Sequence, residues 1–268
     1  MAELVTEGLT KALGALKLVR TAEQLETLLQ DGVSKQMTYA AFLEHVLSAE
    51  ARSKTSKQAA LRITLAKFPY VKTLDGFDFA FQPSVDRGQV DLLAQSRYVA
   101  NGDNVILLGP PGVGKTHLAI ALGVKACEAG YRVLFTTAAT LVRELKTAFD
   151  QHRLDARLKS YADPKLLIVD ELGYLPLDRT AATLLFQLVV RRYEKGSLIV
   201  TSNLGFSSWD QVFGDPVLAT AVLDRLLHHS HILNIKGDSF RLKEKKRAGL
   251  LTHPQAASPK GEGVGQIS

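Results

Sequence analysis

The sequence predicts an α/β fold, a central parallel sheet with helices on both faces, preceded by a small all-helical region. Three observations predict it. Five short apolar runs alternate with helix-length segments from residue 105 onward. The stretch "GPPGVGKT" sits between the first of these runs and an apolar helix pattern. Residues 1–66 place apolar residues three and four apart and show no strand pattern.

Taken in order, "AEQLETLL" and "YAAFLEHVLSAEA" read as helices, with a turn expected between them at Asp31 and Gly32. "KFPYVKTLDGFDFAFQPS" then breaks the period with two prolines and a glycine, which places a domain boundary there: residues 1–68 helical, 69–250 α/β. The strand candidates are 105–108, 131–137, 166–170, 198–202 and 231–235. Several are apolar on both faces, as a sheet covered by helices on both sides requires. Residues 251–268 lack periodicity and are expected to form a disordered tail.

With 46% hydrophobic and 22% charged residues, 268 residues can bury a sizeable core. The single cysteine, Cys127, has no ligand partner at metal spacing. That excludes a disulfide framework and a thiolate metal site, and it implies a reducing, cytoplasmic setting. No apolar run approaches the roughly 20 residues that span a bilayer, and Glu3 and Glu7 disrupt any signal-peptide pattern, so no membrane association is expected. The net charge of +6 is concentrated. Residues 51–72 carry Arg52, Lys54, Lys57, Arg62, Lys67 and Lys72 without an acidic residue, and "RLKEKKR" at 241–247 carries five basic residues and one acidic. Each window suits either contact with a polyanion or a solvated face. No aromatic residue interleaves with the cations of residues 52–62, which favours phosphate-backbone contact over base stacking.

The chemistry starts at Gly109, Gly114, Lys115 and Thr116, which fit G-x-x-x-x-G-K-[ST]. The loop formed by Gly109, Pro110, Pro111, Gly112, Val113 and Gly114, running into Lys115, Thr116 and His117, would cradle phosphates with backbone N–H groups at a helix N-terminus. Lys115 would reach the outer phosphates, and the Thr116 hydroxyl would hold magnesium. The run 166–169 delivers Asp170 and Glu171 to the carboxyl end of a strand, where ligands bind in open α/β sheets. Asp170 would share the magnesium and Glu171 would activate water. Asn203 ends "LIVTSN" either as a neutral sensor of the terminal phosphate or as a turn former. Arg225, in "VLDRLLHH", is open at this level between a finger offered to a neighbouring subunit and a surface ion-pair residue. His228, His229 and His231 follow without an adjacent carboxylate or cysteine, which argues against a metal site.

Together "GPPGVGKTHLAIALG", "LLIVDELGYLPLD", "LIVTSN" and "VLDRLLHHSHILNIKGDSFRLKEKKRAG" resemble the IstB-like ATP-binding proteins, the helpers encoded beside the transposase of bacterial insertion sequences. The resemblance covers roughly residues 20–250. It implies an AAA+ ATPase of the initiator and helicase-loader clade, using ATP and magnesium, that oligomerises on duplex DNA and works with a transposase. A replicative helicase loader is the alternative within that clade. A DNA-bridging module with vestigial hydrolysis is disfavoured by the intact Glu171, and a small-molecule kinase by the lack of a substrate lid. The resemblance makes Lys115 and Thr116 the Walker A pair, Asp170 and Glu171 Walker B, Asn203 sensor 1 and Arg225 the arginine finger. It also puts Arg143, Lys146, Arg153, Arg157 and Lys159 on the clade's inserted helices as DNA-contact candidates, beside Arg52, Lys54, Lys57 and Arg62. Too few residues follow Ile235 for a full helical lid with its sensor arginine.

Overall fold

A computed structural model describes residues 2–174 and 176–247. The expected tail, 251–268, lies outside the described residues. Four helices lead the chain: α1 (Ala2–Ala15), α2 (Val19–Glu23), α3 (Leu25–Ser34) and α4 (Tyr39–Leu65). The turn expected at Asp31 and Gly32 is instead inside α3. Glycine is there for space, since a Cβ on Gly32 would stand 2.8 Å from the Phe42 ring of α4. The chain reverses later, where Gln36 adopts φ +47 and Met37 N–H donates to Gly32 O. Thr38 caps α4 by accepting from Ala41 N–H. The N–H and hydroxyl of Thr21 both donate to the buried Glu50 carboxylate, tying α2 to α4.

The α/β body follows: α5 (Arg87–Ala94), α6 (Arg97–Asn101), β1 (Asn104–Leu108), α7 (Lys115–Glu128), β2 (Val133–Thr137), α8 (Ala138–Asp150) and α9 (Leu154–Ala162). It continues with β3 (Leu166–Leu172), α10 (Arg179–Arg192), β4 (Ser197–Ser202), α11 (Trp209–Phe213), α12 (Pro216–Leu227), β5 (Ser230–Asn234) and α13 (Phe240–Arg247). All five expected strands form, in the order β2-β3-β4-β1-β5, and every pair is parallel. Asp86, Thr137, Asp178 and Asp215 accept from N–H groups in the first turns of α5, α8, α10 and α12, which fixes where those helices start.

Alternate strand residues feed two cores, one on each face. Val105, Leu107, Leu166, Ile168 and Ile199 pack with α5, α6 and α7. Ile106, Leu108, Leu167, Val169, Leu198 and Val200 pack with α8 to α12. The last turn of α4 joins the first core through buried Ala66, whose carbonyl accepts from Phe135 N–H at 2.8 Å. Because β4 lies between β1 and β3, the loops that follow these three strands meet at one edge of the sheet.

Candidate nucleotide site

Residues 109–114 link β1 to α7 at that edge. Gly109 has φ +150, and a Cβ there would stand 2.1 Å from Ile235 O, so only glycine fits. Gly114 is the left-handed N-cap of α7 at φ +98, with the Phe77 ring 2.7 Å from where a Cβ would be. Lys115 Nζ donates to Gly109 O at 2.7 Å and Pro110 O at 2.8 Å, so its ammonium lies within the loop that phosphates would fill. Burial holds the Lys115 pKa below its ordinary value; Asp170 opposes this, Arg241 adds to it and Glu171 opposes it.

Asp170 is 4% exposed. Its carboxylate accepts from the Thr116 hydroxyl at 3.0 and 3.1 Å and from the Thr201 hydroxyl at 2.5 Å. The Thr201 oxygen in turn accepts from Glu171 N–H at 2.9 Å. Thr201 is a site residue that the sequence reading missed; its only signal was the polar ending of an apolar run. Glu171 is exposed with φ +63, at a register shift between Val169 and Leu172. The irregularity lets Asp170 and Leu172 stay buried while Glu171 faces solvent, and a non-glycine residue at positive φ stores strain of about 1–3 kcal/mol. Asn203 Oδ1 is buried without a hydrogen-bond partner. The hydroxyl and carboxylate of Thr116 and Asp170 form the hard oxygen set that magnesium takes.

The 67–84 segment and the start of α13 also reach this site. His117 Nε2 lies 2.8 Å from Thr73 O and its ring meets Phe77 edge-on at 5.4 Å, binding the 67–84 segment to α7. Burial raises the Tyr70 pKa, followed by the fields of Asp170, of Arg241 in the opposite sense, and of Glu171. Phe240 N–H donates to Gly112 O at 3.0 Å, which seats the start of α13, and with it Arg241, against the phosphate loop.

Arg225 is at the other end of the sheet. Its helix α12 is pinned there by Asn104 Nδ2, at the start of β1, donating to Leu226 O at 3.0 Å. The Arg225 guanidinium lies 5.1 Å from the Phe186 ring centroid and donates to Ala221 O. His228 and His229 do meet a carboxylate, correcting the sequence reading. Their ring nitrogens and a Glu194 oxygen lie within 4.8 Å of one another, all three residues exposed. Glu194 comes from the turn after α10, too far along the chain to be seen beside the histidines.

The basic candidates lie on or beside three helices, α4, α8 and α9. Arg52, Lys54 and Lys57 are exposed on α4, and Arg143, Arg153 and Lys159 on α8 and α9 or between them. Lys146 is paired with Asp178 at 2.5 Å, and Arg157 with Glu144 at 3.5 Å. Arg62 and Arg157 line one common cleft.

Residues 11–248 match the family of IstB-like ATP binding proteins. The chain is 51% identical over 240 residues to an "Insertion sequence IS21 putative ATP-binding protein" from Pseudomonas aeruginosa, covering 90% of this chain and 91% of that one. It is 44% identical to the corresponding IS5376 protein from Geobacillus stearothermophilus, covering 86% and 92%. Among solved structures, DnaI aligns with a TM-score of 0.52 at 22% identity over 61% of this chain and 90% of that one. DnaA from Aquifex aeolicus, bound to AMPPCP, aligns with a TM-score of 0.50 at 23% identity over 68% and 57%. The five-stranded parallel sheet is thus that of an AAA+ P-loop protein, and the chain belongs to the IstB-like family of insertion-sequence ATP-binding proteins.

Proposed function

We propose that this chain is a magnesium-dependent ATPase that oligomerises on duplex DNA in the cytoplasm and serves the transposase of its insertion sequence. The observation that carries the reading is the Thr116–Asp170–Thr201 cluster beside an outward-facing Glu171. Thr116 and Asp170 would hold magnesium, which supplies charge neutralisation on the phosphates. Lys115 would leave the Gly109 and Pro110 carbonyls for the outer phosphates. Glu171 would take the proton of the attacking water, and Asn203 would accept from that water through its orphan Oδ1 or donate its amide N–H to the terminal phosphate. Arg241 would add a second positive charge in cis.

Arg225 would complete the site of a neighbouring copy. Its helix is tied to the start of β1, whereas its own phosphate loop leaves the end of β1, at least roughly 13 Å away for five residues at 3.3 Å each. A finger of this kind contributes about 10³ to 10⁵ in rate. The division into a helical unit, 1–68, and an ATP-binding unit, 69–250, belongs to the same proposal. The names of the relatives support the transposase as partner. No helix among the described residues is long and apolar enough to cross a membrane.

The test is phosphate release from ATP with and without duplex DNA. The expected result is magnesium-dependent hydrolysis that DNA accelerates and Glu171→Gln removes. Hydrolysis indifferent to both DNA and Glu171→Gln would reject the reading.

A further inference from the structure

A cleft of about 590 Å³ runs beside β2, the edge strand of the sheet. Arg62 and Lys67 line it from the end of α4, Arg132 from the start of β2 and Arg157 from α9. Glu144 is the one carboxylate in the lining, and it is already engaged by the Tyr161 hydroxyl at 2.6 Å and by Arg157. The cleft therefore carries a net positive charge, and its Thr137 end lies beside Asp170 in the sheet register.

Lys67 is held there at a conformational cost. It follows the last turn of α4 at φ +60, the position after a helix where glycine is the usual occupant. Ala66 O, bonded to Phe135 N–H, fixes the chain across the strand edge, and the Lys67 side chain is exposed.

The shape identifies the ligand. Arg132 precedes the first residue of β2 and Thr137 is its last, so the lining follows the strand for roughly 16 Å. Each strand of a duplex presents a phosphate about every 3.4 Å of axis, so several fit this length, whereas a small anion would use one point of it. The aromatic rings in the cleft are closed to stacking: Tyr161 is 4% exposed and Phe135 7%. That favours an intact duplex backbone over splayed bases.

We propose that this cleft seats the sugar–phosphate backbone of duplex DNA, with Lys67 and Arg132 as its principal phosphate contacts and Arg62 and Arg157 at its walls. This deepens the DNA-binding reading and rests on it. The experiment measures binding of a labelled 30-base-pair duplex by the full chain with ATP, across a salt series. The variants are Lys67→Gly, Arg132→Ala and their double, with Lys17→Gly as the control. Lys17 is likewise exposed at positive φ, +54, and loses the same charge.

The double variant is expected to weaken binding evenly across DNA sequences and to lower the salt slope by about two units. Lys67→Gly should do so with Tm unchanged or raised, and Lys17→Gly should leave the slope unchanged. If the wild type binds DNA and the double variant keeps its slope, the cleft assignment is overturned while DNA binding stands. An affinity loss in Lys67→Gly that comes with a lowered Tm also overturns it, in favour of a structural role. If the wild type binds no duplex at any salt, the functional reading itself fails.

Discussion

At the amino end of the sheet, Arg192 is 1% exposed and donates to five backbone carbonyls, those of Tyr161, Ala162, Pro164, Lys165 and Ser197. Beside it, the Asn104 side chain bridges Leu226 O and Leu198 N–H. At the carboxyl end, Lys115 rests on two carbonyls of its own loop, Asn203 Oδ1 has no partner and Glu171 stands exposed in a left-handed conformation. The first set is tied into fixed backbone, although Arg192 Nε is itself buried without a partner, and the second is left open to a ligand. A cation wrapped in fixed carbonyls holds α9 and α10 to the sheet; a cation that can exchange carbonyls for phosphates is placed to bind. Arg225 breaks the pattern, since it lies at the amino end with one carbonyl and the face of Phe186 as partners.

The largest effect should come from the carboxyl end. Lys115→Ala is expected to abolish ATP binding while leaving the fold intact, because the two carbonyls it releases are part-buried or exposed and can take water. Calorimetric titration with ATP checks it, and unchanged affinity would remove the distinction between the two ends. Glu171→Gln should bind ATP normally and hydrolyse it about 10²- to 10⁴-fold more slowly, the range for loss of a general base.

The apolar runs named the strands because strands buried on both faces need no alternation to be seen, and the phosphate-loop spacing marked the strand end at which Thr116 and Asp170 meet. Thr201 and Arg241 were not legible, since each enters the site only through strand order or a backbone contact across the fold. The φ of Glu171 was hidden as well: "LLIVDEL" reads as a plain strand, and the register shift exists only once β4 is beside it. The role of Gly32 was misread because a glycine after aspartate signals a turn, whereas here it admits the Phe42 ring.

The amino end should answer in stability instead. Burial lowers the Arg192 pKa to about 10, which still leaves it charged at neutral pH. Arg192→Met would strand its buried carbonyls and is expected to cost about 3–5 kcal/mol, lowering Tm by roughly 6–20 °C. Thermal unfolding measures this. A loss of ATP affinity without a loss of Tm would contradict a purely architectural role.

A smaller effect separates the ends by pH. Burial lowers the pKa of His117, with its bond to Thr73 O opposing and Lys72 adding to the shift. The folded state therefore binds this proton less readily than the unfolded chain does. Stability from this group is present above the ordinary histidine pKa, about 6.5, and declines as pH falls through and below it. His117→Gln should flatten that part of the stability–pH curve, as read by denaturant midpoints between pH 5 and pH 8 on the order of one unit apart. An unchanged curve would remove His117 from the contacts that set the site.

The central claim is that an ATP site at one end of the sheet is completed by Arg225 from the other end of a neighbouring copy. The direct measurement mixes Arg225→Ala with Glu171→Gln and follows phosphate release on DNA, with mixed oligomers verified by cross-linking. Each variant alone should bind ATP and hydrolyse it poorly. The expected result is recovery on mixing, because an interface that pairs Glu171 of one copy with Arg225 of the other is whole. Mixed oligomers that form without any recovery would contradict the shared site and return Arg225 to its contacts with Phe186 and Ala221.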